Sequence, residues 1–358
     1  MLKVFERIYR RYFSDEEAVI LALVLVAGLL IIYLFGRILT PVIAAVIVAY
    51  ILAPIMDRLV RLRIPPTMAA SLLSLLFLGF LLLVALVLLP FMWSQIMTFT
   101  LELPKMLGEF QHTLGLLPER FPELLDEAQV RQWIQQLNLA SLGTQAASQL
   151  PRLLTYSLST IPNLISVLIY LLIVPMMVFF MLKDRITLWR SIATLLPSKR
   201  RILNDIGREM NHQIANYIRG KVIEILIVGA VSYVTFQFLG LNYSALLAVL
   251  VGVSVLIPYI GATVATVPVA LIALFQFGLT APFYTVVGAY LIIQILDGNV
   301  LVPLLFSEAV NLHPIFIITA VIFFGGIWGF WGIFFAIPLA TLVKAVYNAW
   351  PKHPDLGR

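Results

Sequence analysis

The sequence predicts an all-α, polytopic integral membrane protein. About six spanning helices, two broken, re-entrant helical hairpins and an external amphipathic helical arm account for the chain; eight plain spans are the alternative. Three observations carry this reading. The 358 residues are 61% hydrophobic and only 12% charged, with a mean hydropathy of +1.00, whereas soluble domains are about half apolar and about a quarter charged. Uncharged runs recur at the length that crosses a bilayer core of about 30 Å. Two such runs in the last third are interrupted by glycine and proline. A soluble fold could not hide this much apolar surface, which excludes a soluble enzyme, a nucleic-acid-binding protein and a disordered chain. The net charge of +6 and pI near 9.5 then read as Lys and Arg gathered on cytoplasmic segments. With no cysteine, disulfides, thiolate metal sites and cysteine nucleophiles are excluded.

Residues 1–93 read as a tail and three spans. Ala18 to Gly36 is nineteen residues without a charge, long enough to cross at about 1.5 Å per residue. Its apolar stretch is longer than the core of a cleaved signal peptide, so a retained span is expected. Lys3, Arg7, Arg10 and Arg11 before it place the N-terminus in the cytoplasm. Leu39 to Met56 returns to Arg58, Arg61 and Arg63, again cytoplasmic, and Pro65-Pro66-Thr67 opens a third helix leaving outward to about Trp93.

Residues 94–156 form the expected external arm, with six acids against four bases and apolar residues at helical spacing, as in Val130, Trp133, Ile134 and Leu137. Two or three amphipathic helices lying on the membrane or on a neighbouring subunit fit that pattern; a small subdomain without membrane contact is the rival. A fourth span over residues 157–182 brings the chain back inside. Residues 183–221 hold nine basic residues against three acids, the strongest orientation signal in the chain. Within them Ile186, Trp189, Ile192 and Leu196 form an apolar stripe suited to the inner leaflet, where anionic headgroups attract basic residues. Ser198, after Pro197, is the expected N-cap of a helix running uninterrupted into a fifth span ending near Leu239. Residues 222–350 are the fifth span and transport core, and residues 351–358 a cytoplasmic tail.

From Ala245 to Gln276 there are 32 uncharged residues, interrupted by Pro258-Tyr259-Ile260-Gly261. One helix of that length would be about 48 Å, too long for the bilayer, while each half, some 20 Å, is too short. Pro314 to about Tyr347 repeats the problem around Gly325 to Gly332. Tyr243 to Gly261 and Pro314 to Gly332 are both 18 residues apart, and a proline (Pro268, Pro338) follows each break by six or seven residues. With one span between them, about Phe283 to Leu296, two re-entrant hairpins would enter from opposite leaflets and meet near the midplane, the inverted-repeat logic of many secondary transporters. Unwound backbone at that depth must be buried or line a cavity. Either topology ends with a cytoplasmic C-terminus.

No catalytic residues and no metal ligands are assigned. A phosphate loop, clustered His and acid ligands and a serine nucleophile motif are all missing from the sequence, so an enzyme is not expected. Ionisable groups in apolar surroundings are functional candidates. Asp297, beside Gly298 and Asn299, could bind a proton, a cation or a polar solute through unwound backbone and side chains, or could cap a helix at the membrane surface. Glu308, His313, Pro258, Gly261, Gly329 and Gly332 complete the candidate core; Glu308 also fits a loop, and His313 a structural contact. Arg219, Lys221 and Glu224 mark the cytoplasmic mouth of the fifth span. There Lys221 and Glu224 share a helical face, while Arg219 and Lys221 also suit snorkelling. No cofactor is expected beyond a transported Na⁺ or H⁺.

Several stretches resemble the AI-2E (autoinducer-2 exporter) transporter family: Asn216-Tyr217-Ile218-Arg219-Gly220-Lys221, Leu256-Ile257-Pro258-Tyr259-Ile260-Gly261, Asp297-Gly298-Asn299-Val300-Leu301-Val302-Pro303, Ala309-Val310-Asn311-Leu312-His313-Pro314, Gly329-Phe330-Trp331-Gly332 and Ala336-Ile337-Pro338-Leu339-Ala340. Lys221 stands where Gln is commoner in the family. The resemblance implies a multi-pass protein of the bacterial inner membrane that exports a small polar signal or, in some members, exchanges Na⁺ for H⁺. It also implies a homo-oligomer. The partners expected are therefore the lipid bilayer, further copies of the chain, and a small polar solute or monovalent cation, with no nucleic acid. A passive oligomeric channel and a non-transporting scaffold are the competing functions.

Overall fold

The computed structural model describes residues 16–36, 38–115, 164–194, 201–258, 260–306 and 312–349, together with 118, 145, 148 and 149. Among them every regular element is helical. Five helices are long and apolar enough to cross a membrane: Thr40–Arg61, Pro66–His112, Arg201–Phe238, Ile260–Phe277 and Ala281–Phe306, with shorter apolar helices beside them. This is the all-α, polytopic class that the composition predicts. The chain divides into two compact units, the first Met1–Leu78, Tyr170–Val222 and Leu304–Arg358, the second Gly79–Ile169 and Ile223–Pro303.

In the first unit, α1 (Glu16–Phe35), α2 (Thr40–Arg61) and the start of α3 (Pro66–Leu83) accompany α5 (Leu164–Lys183), of which residues from Tyr170 belong here. Small residues let these helices approach: Ala45, Ala69 and Ala70 are fully buried against Met56, Leu73, Val174, Val178 and Leu182. A second apolar cluster joins Leu21 to Ile206 and Met210 of α7 (Arg201–Phe238), with Leu342 and Val346 packed on it. The expected cap Ser198 lies outside the described residues. The Glu17 carboxylate accepts from the first backbone N–H groups of α7 that are described, Arg201 N at 3.2 Å and Ile202 N at 3.3 Å, placing an anion at the positive end of the helix. The start of α6 (Arg185–Thr194) is tied to the end of α2 by an ion pair, Arg185 Nη2 to Asp57 Oδ1 at 2.6 Å.

The second unit holds α4 (Leu89–Gly115), the later part of α7, α8 (Ser244–Ser254), α9 (Ile260–Phe277) and α10 (Ala281–Leu296). Its core is one cluster in which Val228 and Phe236 meet Leu247, Val251, Ala265, Val269, Ile272, Val286 and Tyr290. α7 and α8 touch at glycines: a Cβ on Gly252 would stand 3.0 Å from the Ile225 oxygen and 3.1 Å from Gly229 Cα. Such small-residue contacts are how helices associate in lipid, where no hydrophobic force draws them together.

The third span does not stop at Trp93. Helix continues from Pro66 to Gly115, carried past Pro90 by a π turn at Val84–Leu88. Proline cannot donate to the carbonyl four residues back; the wider turn, in which Leu89 N reaches the Val84 oxygen, absorbs the defect without ending the helix. The same device recurs at Asp297–Leu301, two residues before Pro303, and carries α10 into α11 (Val302–Phe306).

Both long uncharged segments are broken, but their halves are unequal. α8 has 11 residues and α9 has 18, about 17 and 27 Å. The second segment comprises α12 (Pro314–Trp328), the short α13 (Phe330–Phe334) and α14 (Ala336–Ala349). Its helix runs through Gly325 and Gly326 and ends only at Gly329, with φ 60°. In each segment the two main halves pack on one another.

Gly261 and Gly332 are therefore expected to tolerate no side chain. Alanine at either should cost about 1–3 kcal/mol, the usual penalty of forced overpacking. Gly28→Ala, where a Cβ meets nothing within 4 Å, should be neutral or stabilising. Thermal unfolding followed by tryptophan fluorescence in detergent checks the order.

Candidate functional site

Each break rests on one glycine. Pro258 offers no N–H to the Ser254 carbonyl, so α8 cannot run on; that oxygen accepts from Ile257 N at 3.0 Å instead. The chain turns, and a Cβ on Gly261 would lie 1.7 Å from the same oxygen. In the other segment Gly329 turns the chain and a Cβ on Gly332 would lie 1.9 Å from the Phe324 oxygen. In both, helix backbones meet directly, and only glycine allows it. These are the two glycines that share the 18-residue offset in the sequence.

The first segment folds back completely. Gln276, at the end of α9, donates through Nε2 to the Gly240 carbonyl at 2.8 Å and accepts at Oε1 from Asn242 N at 2.7 Å. The two ends of residues 244–277 are thereby held together. Tyr243, at φ 58°, closes that turn and donates its hydroxyl to Glu102 at 2.5 Å. Burial and the neighbouring carboxylate push the phenol of Tyr243 well above its ordinary range.

A buried tyrosine holds each tip. Tyr290 of α10 donates to the Ala262 carbonyl at 2.9 Å, which Thr266 Oγ1 also reaches at 2.8 Å. Tyr217 of α7 donates to the Phe334 carbonyl at 2.8 Å. The helical donor for that carbonyl would be residue 338, which is proline; the phenol supplies the missing proton. The Tyr217 ring lies 5.8 Å from that of Phe306, and Gly220, one turn on, has Phe306 where a Cβ would be, at 2.6 Å. Lys221, 4% exposed, places Nζ 5.3 Å above the same ring.

Asp297 does not sit in unwound backbone. Its carbonyl accepts from Val302 N in the π turn, and helix continues to Phe306. It belongs instead to a polar line: Tyr290, Gln294 and Asp297 fall at i, i+4 and i+7, one face of a helix. Gln294 Nε2 and Asp297 Oδ1 are both closed off from solvent. Asp297 is thus about 10 Å along the helix from the tyrosine that holds the tip. A buried donor and a shielded carboxylate one turn apart can hold a proton or a hydrogen-bonding solute.

The candidates belong to both units. Pro258, Gly261, Glu224, Asp297 and Asn299 lie in the second unit; Arg219, Lys221, His313, Gly329 and Gly332 lie in the first. Glu224 is 2% exposed. Asn299 donates back to the Ile295 carbonyl at 2.9 Å, and Arg219 bonds to Ala215 and Asn216 of its own helix. His313 caps α12, its Nδ1 accepting from Ile315 N at 3.3 Å, which is the structural role. Glu308 lies outside the described residues. Among those described, no three His, Asp or Glu gather as a metal site.

A family model described as AI-2E family transporter matches residues 22–352. The chain belongs to the AI-2E transporter family. It is 47% identical to the Escherichia coli K12 protein named as a permease, PerM, over 98% of both chains. YueF of Bacillus subtilis, named as a transport protein, is 27% identical over 86% of this chain and 82% of its own. The E. coli AI-2 transport protein TqsA is 25% identical over 90% and 91%. These names are of transport proteins and not of enzymes, and the chain is accordingly a multi-pass membrane transport protein of this family.

Tyr217, Gln276 and Tyr290 were not among the sequence candidates. The spacing of Tyr290, Gln294 and Asp297 carried a signal, as did Pro338 four residues beyond Phe334; Gln276 carried none. Tyr217→Phe is expected to cost about 1–2 kcal/mol, since it leaves the Phe334 carbonyl without a donor in apolar surroundings. Pro338→Ala, which restores an N–H, should recover part of that loss in the double variant. Tyr290→Phe should cost less, because Thr266 remains. Thermal unfolding of the two single variants and the double variant checks both statements.

Proposed function

We propose that this member of the family is a secondary transporter of the bacterial inner membrane, with both termini cytoplasmic, that exports a small polar solute. Residues 244–277 and 314–349 act as re-entrant hairpins forming the transport core. The line Tyr290–Gln294–Asp297 is its polar path, with Asp297 the titrating group. The observation that supports this best is Gln276 joining the two ends of residues 244–277, so that the segment leaves from the end by which it arrived. The name of TqsA connects the family with AI-2, in keeping with a small polar signal as solute. For the coupling ion, a single carboxylate beside an amide suits H⁺ better than Na⁺, since hard cations need several oxygen ligands. Self-association into a homo-oligomer goes with the family reading.

Two measurements test this. Cysteine placed singly at Gly278 and at Asn311 in the cysteine-free chain is labelled with an impermeant reagent from each side. Re-entrant hairpins require label from outside at 278 and from inside at 311; the reverse pattern overturns them. In proteoliposomes, Asp297→Asn should abolish the pH dependence of solute flux at similar protein content, and unchanged flux would remove Asp297 from the path.

A further inference from the structure

We infer that α6 is a docking helix for anionic phospholipid, lying in the plane of the bilayer surface with Trp189 among the lipids. The inference is independent of the transport reading, since it concerns neither the hairpins nor Asp297.

The argument begins with what holds α6 in place. It has ten residues, none of them buried. A helix so short is marginal in water unless an apolar face is covered. Its large side chains are strongly exposed, Ile186 by 60%, Trp189 by 66% and Ile192 by 54%. At 100° per residue they share one arc of about 160° with Leu188, Ala193 and the first residue, Arg185, while Thr187, Arg190, Ser191 and Thr194 occupy the other. An apolar face with tryptophan near its centre, beside basic residues, is the pattern of helices that lie in the interface.

The position of α6 agrees. It follows α5 after a single residue, Asp184, whose N–H donates to the Phe180 carbonyl at 2.8 Å. It starts where Arg185 is tied to Asp57 at the end of α2, and Lys183 lies 5.7 Å over the Phe179 ring. The helix therefore begins at the level where two apolar helices end. Charge decides which surface it meets: Lys183, Arg185 and Arg190 stand in or beside α6 against Asp184, and an anionic leaflet attracts each cation near it. A second copy of the chain, itself of net charge +6, offers these cations no such attraction.

The test uses the full-length chain with single cysteines, Thr187→Cys on the polar arc and Ile192→Cys on the apolar arc, each carrying a nitroxide. The protein is reconstituted in phosphatidylcholine vesicles with or without phosphatidylglycerol. Collisions with oxygen, which concentrates in lipid, are compared with collisions with a water-soluble nickel chelate. The docking helix requires oxygen to dominate at 192 and nickel at 187, with the contrast larger in phosphatidylglycerol. Arg190→Gln should weaken that lipid preference roughly five-fold, the effect of one cation at such a surface. Equal nickel access at both positions overturns the proposal. So does protection of 192 from both agents, which would mean protein packing, or a contrast indifferent to phosphatidylglycerol. Size-exclusion profiles matching the parent chain establish that the labelled variants are folded.

Discussion

Hydrocarbon offers no partner to a backbone N–H or carbonyl, and that constraint organises this chain. An unbroken helix satisfies it automatically. This sequence interrupts its helices repeatedly with proline and glycine, and at four of these sites the repair is seen in the structure. Before Pro90 and Pro303 the repair is a π turn, which passes the carbonyl to a donor five residues on. At the two breaks the repair needs a second helix: the chain doubles back, glycine lets the backbones touch, and a phenol from a neighbouring helix reaches the carbonyl beyond the glycine. Fold and candidate site therefore meet at the two breaks, where buried phenols satisfy backbone carbonyls.

Much of this was legible in the sequence. The apolar runs and the long uninterrupted helix from Arg201 follow from composition and from the lack of breakers. The paired offsets to Gly261 and Gly332 identified the two residues that the structure uses in the same way. What could not be read depends on partners distant in the chain. That helix continues past Trp93 depends on a π turn at Val84–Leu88, which answers Pro90 but which the residues of the turn itself do not signal. Gly298 reads as a helix breaker, yet the helix passes through it, because Pro303 five residues later sets a wider turn in place of an end. The carboxylate that meets the first N–H groups of α7 is that of Glu17, 184 residues upstream of Arg201, and no local pattern points there.

The unequal halves of the first segment have a similar origin. The sequence places the break at Pro258 to Gly261 and the structure breaks there, but α8 already stops at Ser254, whose carbonyl Pro258 cannot serve, after 11 residues. α9 then takes 18, enough to bring Gln276 level with the turn at Gly240 to Asn242. A more central break would have left the amide short of those backbone groups.

The tyrosine bonds also bear on how such a protein could move. Tyr290 fixes the tip of the first hairpin to α10, and Gln294 and Asp297 lie on the same helix, one and two turns further on. Tyr290 is held by its bond to the Ala262 carbonyl and by the apolar core it shares with Val251, Ala265, Val269 and Val286. Packed cores of this kind shift as bodies and do not deform continuously. The distance from the hairpin tip to the carboxylate at 297 is therefore a fixed quantity of the second unit. If access to that carboxylate alternates during transport, the change must come from elements outside this group, because nothing within it can give way without breaking the bond that holds the tip.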